Sequence, residues 1–272
     1  MALKLTVAGC GGRMGQAVLE AVLADAGFTL AGALEVPGNA LLGRDAGERI
    51  GAVTGVTITA DIPMAVAGAD VLIDFTRPEG TLAHLGACVH AKVAAVVGTT
   101  GLTSPDKRAL EEYARAIPIV FAPNMSVGVN VLARMVEMCA QRLGEGYDVE
   151  ILEMHHRHKA DAPSGTALLL GEAAARALGR DLKASAVYAR EGATGPRKPG
   201  SIGFAVLRGG DVVGDHSVIF AGAGERIELA HKAGSRSNFA QGALRAARFV
   251  ATKREQGATG VFDMQDVLGL RS

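Results

Sequence analysis

An α/β protein, with a doubly wound parallel sheet followed by a second α+β domain carrying a mixed or antiparallel sheet, is the fold class this sequence predicts. Three observations carry the prediction. Short apolar runs alternate with helical patterns through the first half, and glycines close several of those runs. After Asn124 the pattern changes to a long helix and then to strands separated by short Gly-rich turns.

Leu3–Ala8 reads as a buried strand, since parallel strands covered on both faces are continuous apolar runs. It enters Gly9-Cys10-Gly11-Gly12-Arg13-Met14-Gly15, and a helix is expected over Gln16–Ala24. Phe28–Leu34 is a second strand ending at Glu35, and Val71–Phe75 a third ending in Asp74-Phe75-Thr76-Arg77-Pro78. A helix over Glu79–His90 leads to the strand Val93–Val97, which stops at Gly98-Thr99-Thr100-Gly101. Pro105, tolerated in a first helical turn, opens a helix to Ala116, and Ile119–Ala122 is one more strand. Glycines at strand C-termini in such an alternation point to a Rossmann-type sheet.

Val127–Leu143 is a long helix, and Asp148–Met154 a strand. Ser164 is a candidate N-cap for an Ala-rich helix over Ala167–Ala177. Ile202–Leu207, Val212–Phe220 and Arg226–Ala230 read as strands adjacent in sequence and joined by short turns, which suggests an antiparallel or mixed sheet. Asn238–Ala251 is again a helix, and the tail is expected to return to the first domain. The domains expected are 1–126 with 236–272 for a dinucleotide, and 127–235 for substrate and subunit contacts, with hinges near Asn124–Val127 and Ser235–Asn238.

The 272 residues are 49% hydrophobic and 21% charged, as in globular proteins rather than disordered ones. Lys+Arg and Asp+Glu both count 28, so bulk charge gives no reason for a nucleic acid or anionic membrane partner. Cys10, Cys88 and Cys139 are far apart and form no CxxC pair, which suits a reducing compartment; Cys10 reads as a small spacer rather than a nucleophile. No signal-peptide pattern or run of ~20 apolar residues is present, and a cytoplasmic location is expected.

The glycine turn at the first strand–helix junction suits close approach of a pyrophosphate to a helix N-terminus. Its spacing is not the plain GxGxxG, since the last glycine falls at 15. Glu35, at the end of the second strand, is placed to bind adenosine ribose hydroxyls. Val36-Pro37-Gly38 follows with no basic residue before Arg44, so the reading favours NADH and leaves NADPH open, with Arg13 as a cation that would weaken the preference.

His155-His156-Arg157-His158-Lys159 concentrates cations beside a helix start. Three readings compete. His155, His156, His158 and Asp161 could hold a metal, although strand alternation puts 155 opposite 156 and 158, and Arg157 and Lys159 repel a cation. The run could be a solvated patch. It could also bind an acidic substrate and protonate it, which fits every part, the helix start included; the expected sites include no metal.

The run His155-His156-Arg157-His158-Lys159-x-Asp161-Ala162-Pro163-Ser164-Gly165-Thr166-Ala167 resembles the signature of the 4-hydroxy-tetrahydrodipicolinate (dihydrodipicolinate) reductases of lysine and diaminopimelate biosynthesis. Gly9–Gly15, Asp74-Phe75-Thr76, Gly98–Gly101, Asn124-x-Ser126-Val127-Gly128-Val129-Asn130 and Phe262-Asp263-Met264 match in order, so the resemblance spans essentially the whole chain. It implies His155 and Lys159 as the acid–base pair, and His156 with the backbone of Gly165 and Thr166 as holders of the substrate carboxylates. It implies Gly9, Cys10, Gly11, Gly12, Arg13, Met14, Glu35, Gly98, Thr99, Thr100, Ala122, Pro123, Asn124 and Met125 as the nicotinamide-cofactor site. Members that accept NADPH well often carry Arg where Val36 stands. A small dicarboxylate substrate and a homotetramer are also implied. The rival readings are another dehydrogenase of a small acidic metabolite and a non-catalytic dinucleotide sensor.

Overall fold

The computed structural model describes residues 2–271. Two compact units divide the chain, residues 1–127 with 236–272 and residues 128–235.

The first unit begins β1 (Leu3–Ala8), α1 (Arg13–Leu23), β2 (Phe28–Leu34), β3 (Ile58–Thr59), α2 (Ile62–Val66), β4 (Val71–Asp74), α3 (Pro78–Ala91), β5 (Ala94–Val97), α4 (Ser104–Ala114) and β6 (Pro118–Phe121). The chain then runs through α5 (Val127–Leu143), β7 (Asp148–His155), α6 (Gly165–Ala177), α7 (Leu182–Ser185), β8 (Ala186–Val187), β9 (Ile202–Arg208), β10 (Gly214–Ala221) and β11 (Arg226–Ala233). It re-enters the first unit with α8 (Ser237–Glu255), β12 (Gly260–Phe262) and α9 (Met264–Leu268).

Seven strands form an all-parallel sheet in the order β12-β6-β5-β4-β1-β2-β3. Its central strands are buried without alternation, as helices on both faces require. One core lies against α1 and α8 and includes Val18, Leu19, Leu244 and Val250; the other includes Leu72, Leu85, Val97 and Leu110. The sequence order reverses between β1 and β4, which is where sheets of this kind open a crevice beyond their strand C-termini. The tail does return: β12 pairs with β6 and extends the sheet by an edge strand.

The second unit holds a mixed sheet in the order β11-β10-β7-β9-β8. β10 runs antiparallel to β11 and β7, whereas β9 runs parallel to β7 and β8. The sheet is mixed, in keeping with the sequence, and β9 is separated from its successor β10 by β7. β7 alternates strictly and buries Val149 and Ile151 with Val136, Leu170, Phe204 and Phe220. The same alternation then carries Glu153 and His155 onto the covered face, 1% and 8% exposed. The apolar period of the strand thus ends in two buried ionisable groups. Among the described residues no helix is long and apolar enough to cross a membrane.

Candidate active site

The glycine turn after β1 is built by close backbone approach. Gly9 adopts φ +64°, and a Cβ there would stand 2.9 Å from Thr76 Cγ2. The Gly12 amide donates to the Gly9 carbonyl at 3.0 Å and N-caps α1 without a side chain. Any Cβ on Gly15 would overlap the Gly9 carbonyl oxygen, so Gly15 is the glycine that lets helix and strand meet. The spacing is therefore Gly9-x-x-Gly12-x-x-Gly15. These bare positions and the N-terminus of α1 form a cradle that fits a dinucleotide pyrophosphate. Arg13 is exposed and Met14 half-buried in the first turn of α1.

Glu35 closes the turn from β2. Its carboxylate accepts from the Gly11 amide at 2.8 Å, Asn39 Nδ2 at 2.8 Å and its neighbour's amide at 3.2 Å. Burial and then the Glu35 charge push the Cys10 thiol up to about 12, which leaves it protonated and inert. Two cations approach from the 3-10 turn Glu48–Ile50 and its flank. Arg44 is paired with Glu48, while Arg49 Nη1 donates to the Gly11 carbonyl at 2.9 Å. Arg49 escaped the sequence reading because nothing local in residues 36–50 ties it to a turn nearly forty positions earlier.

The neighbouring strand ends are braced by Asp74, which is fully buried. It accepts from the Thr76 amide at 2.7 Å, Thr76 Oγ1 at 2.6 Å and His84 Nδ1 at 2.8 Å, and Thr81 bonds Thr99 at 2.7 Å. Phe75 fills the place a Cβ on Gly98 would need. Gly98 and Thr99 are thus held, buried, at the C-terminal end of β5, with Thr100 exposed beyond them. Ala122 and Met125 are buried, Asn124 half-buried and Pro123 exposed; Gly242 of α8 lets the Met125 carbonyl pack directly on that helix.

The second unit gathers the ionisable groups at the end of β7. β7 stops at His155, and residues 156–159 form a turn closed by the Lys159 amide donating to the His156 carbonyl at 3.1 Å. Strand alternation therefore does not govern His156 and His158, whose rings lie 6.3 Å apart. His155 Nδ1 lies 2.6 Å from Glu153 Oε2. Lys159 Nζ donates to Asp161 at 2.8 Å. Ser164 caps α6 as its sequence suggests, accepting from the Ala167 amide at 3.1 Å, so Gly165 and Thr166 form the first turn. His216 Nε2 meets Ser164 Oγ at 2.9 Å, and burial pushes its imidazole down to about 4. Arg208, Glu153 and His216 were not singled out from sequence; Arg208 and His216 come from β9 and β10, more than fifty residues beyond β7.

A parallel sheet with a glycine cradle at its first strand–helix junction, in a chain with a second unit that collects acids and cations, defines the class: a nucleotide-dependent oxidoreductase of two units. The family models for the N-terminus and C-terminus of dihydrodipicolinate reductase match residues 3–125 and 128–268. The chain belongs to the dihydrodipicolinate reductase family. The 4-hydroxy-tetrahydrodipicolinate reductase of Cupriavidus pinatubonensis is 59% identical, over 99% of this chain and 100% of that protein. The protein of the same name from Thiobacillus denitrificans is 56% identical over the full length of both. In fold, the chain matches a dipicolinate-bound dihydrodipicolinate reductase from Paenisporosarcina sp. TG-14 with a TM-score of 0.75, at 22% identity, covering 98% and 99% of the two chains.

Proposed function

We infer that this chain reduces 4-hydroxy-tetrahydrodipicolinate to tetrahydrodipicolinate, with loss of water, as a nicotinamide-dependent step of lysine and diaminopimelate biosynthesis. The carrying observation is the His155–Thr166 segment, which sets acids beside a capped helix start, in a chain alike over its whole length to reductases of that name. The glycine cradle after β1, Glu35, Gly98–Thr100 and Ala122–Met125 are the proposed holders of the cofactor, with NADH favoured. The reduced nicotinamide, when bound, supplies hydride to the conjugated imine left after dehydration.

The protein's own residues do the rest. Gly165 and Thr166 offer first-turn amides to a substrate carboxylate, and His156 assists from the adjoining turn. His155 and Lys159 supply positive charge and a proton where negative charge builds toward the ring nitrogen and its neighbouring carbon. Residues 1–126 with 236–272 form the proposed dinucleotide domain, and 127–235 the substrate and oligomerisation domain of a cytoplasmic homotetramer. The test is oxidation of NADH, and separately NADPH, with substrate made in situ from pyruvate and aspartate semialdehyde by the partner synthase. Lys159→Ala is expected to lower kcat far more than it raises KM. The opposite pattern assigns Lys159 to binding, and no oxidation of either cofactor defeats the reading.

A further inference from the structure

We propose that Glu153 and Arg208 form a positioning pair that fixes the imidazole of His155 and sets how readily it holds a proton. The proposal rests on the reading of His155 as an acid of the reductase.

Glu153 sits on the covered face of β7 with both oxygens fully engaged. Oε2 accepts from Arg208 Nη1 at 2.8 Å and faces His155 Nδ1 at 2.6 Å. Oε1 accepts from Arg208 Nη2 at 2.9 Å and the Ser164 amide at 3.0 Å. Burial pushes this carboxyl up, but Arg208, His155 and the Ser164 amide together outweigh it and hold Glu153 below the usual carboxylate range. An ionised carboxylate only accepts, so Nδ1 of His155 must carry the hydrogen. The tautomer is thereby fixed, and Nε2 is the nitrogen left to exchange protons. It points toward Gly214, where a Cβ would stand 2.9 Å away.

Arg208 changes what this contact does. A buried carboxylate alone beside an imidazole would favour the imidazolium strongly. Here the carboxylate is shared with a permanently charged guanidinium in a two-pronged bond, so most of its field is offset before it reaches the ring. The other groups around His155 add little net charge. His216 stands edge-on at 5.0 Å between ring centroids, and burial keeps it neutral near pH 7. His231, paired in register with His216 from β11, is also pushed down by burial. Lys159 and Asp161 pair with each other, and Ser164 is uncharged. Arg208 Nη2 also donates to the Asp161 carbonyl at 2.7 Å, so the same guanidinium steadies the turn that carries Lys159.

The two members of the pair act on His155 with opposite sign, which gives a test that a packing role cannot mimic. The His155 Cε1–H signal is titrated by NMR in the full-length protein without substrate, and assigned with His155→Asn. Glu153→Gln is expected to lower the titration midpoint and Arg208→Gln to raise it. Arg208→Lys, which keeps charge but loses the fork, is expected to fall between wild type and Arg208→Gln, and it supplies the answer if Glu153→Gln does not fold. The corresponding limb of the kcat profile should move with the NMR midpoint. Midpoints that shift in the same direction, or do not shift in folded variants, overturn the pair. Opposite shifts in a protein that does not reduce the substrate would keep the pair and defeat the functional reading instead.

Discussion

Replacing Glu35 by Gln is expected to move cofactor preference toward NADPH. The carboxylate is held in place by three donors, Gly11 N at 2.8 Å, Asn39 Nδ2 at 2.8 Å and Val36 N at 3.2 Å, so it cannot swing aside for a second anion. A ribose phosphate docked there would lie within a few ångströms of it. Two unit charges about 4 Å apart repel by about 1 kcal/mol in water and about 4 kcal/mol at the effective dielectric of a protein surface. Glu35 is half-buried at an open turn, so the lower part of that range applies, about 1–2 kcal/mol, or roughly 5- to 30-fold in affinity. Gln keeps the length and an acceptor but removes the charge. Fluorescence titration with each reduced cofactor should show the NADPH-to-NADH affinity ratio rising roughly 5- to 30-fold over that of the unsubstituted protein, because the repulsion of about 1–2 kcal/mol is gone. Raising salt should narrow the wild-type difference, since exposed charges are screened. An unchanged NADPH-to-NADH ratio at low salt would refute the argument and move attention to Arg49 and Arg13 as receivers of the phosphate.

Gly15→Ala forces a methyl onto the Gly9 carbonyl and should destabilise the protein by about 1–3 kcal/mol in urea titrations while weakening cofactor binding; wild-type behaviour in both would deny Gly15 its packing role. Gly214→Ala places a Cβ 2.9 Å from Nε2 of the buried His155 ring, so the ring must shift: kcat should fall by roughly 10- to 100-fold, with a loss of stability of about 1–3 kcal/mol in urea titrations; an unchanged kcat would deny the contact its role. His216 titrates at about 4 folded and 6.5 unfolded, so its burial carries no penalty above pH 6.5 and an increasing one as pH falls toward 4. That amounts to about 3 kcal/mol of lost stability across the window, and His216→Asn should remove much of this acid slope; an unaltered slope would assign it to other groups.

What was legible in the sequence was local. The strands Leu3–Ala8 and Phe28–Leu34 and the helix Val127–Leu143 fall where periodicity puts them, and the Ser164 cap follows from one side chain three residues before its donor. The sheet of the second unit was legible as antiparallel or mixed but not in its strand order, because β10 and β9 pair with opposite edges of β7, which lies some fifty residues earlier. At the histidine run, composition announced a site, but alternation was carried past the end of β7 into a turn where it has no meaning. Glu153 looked like one more strand residue. Its partner Arg208 lies 55 positions away, and no local pattern records that their side chains meet. The short elements β3, α2 and β12 also carried too few residues to show a period.

The return of the chain to its first sheet has a consequence for the nascent protein. Residues 128–235 are contiguous and emerge from the ribosome as a complete unit, whereas β6 waits for β12, and its cover for α8. At about 5–20 residues per second the interval between β6 and β12 is on the order of ten seconds. Through that time a fully apolar strand presents an unpaired edge, the kind of surface that recruits other chains. The inserted unit can fold while its host is still open, and pairing of Gly260–Phe262 with β6, once that segment has left the ribosome, ends the exposure.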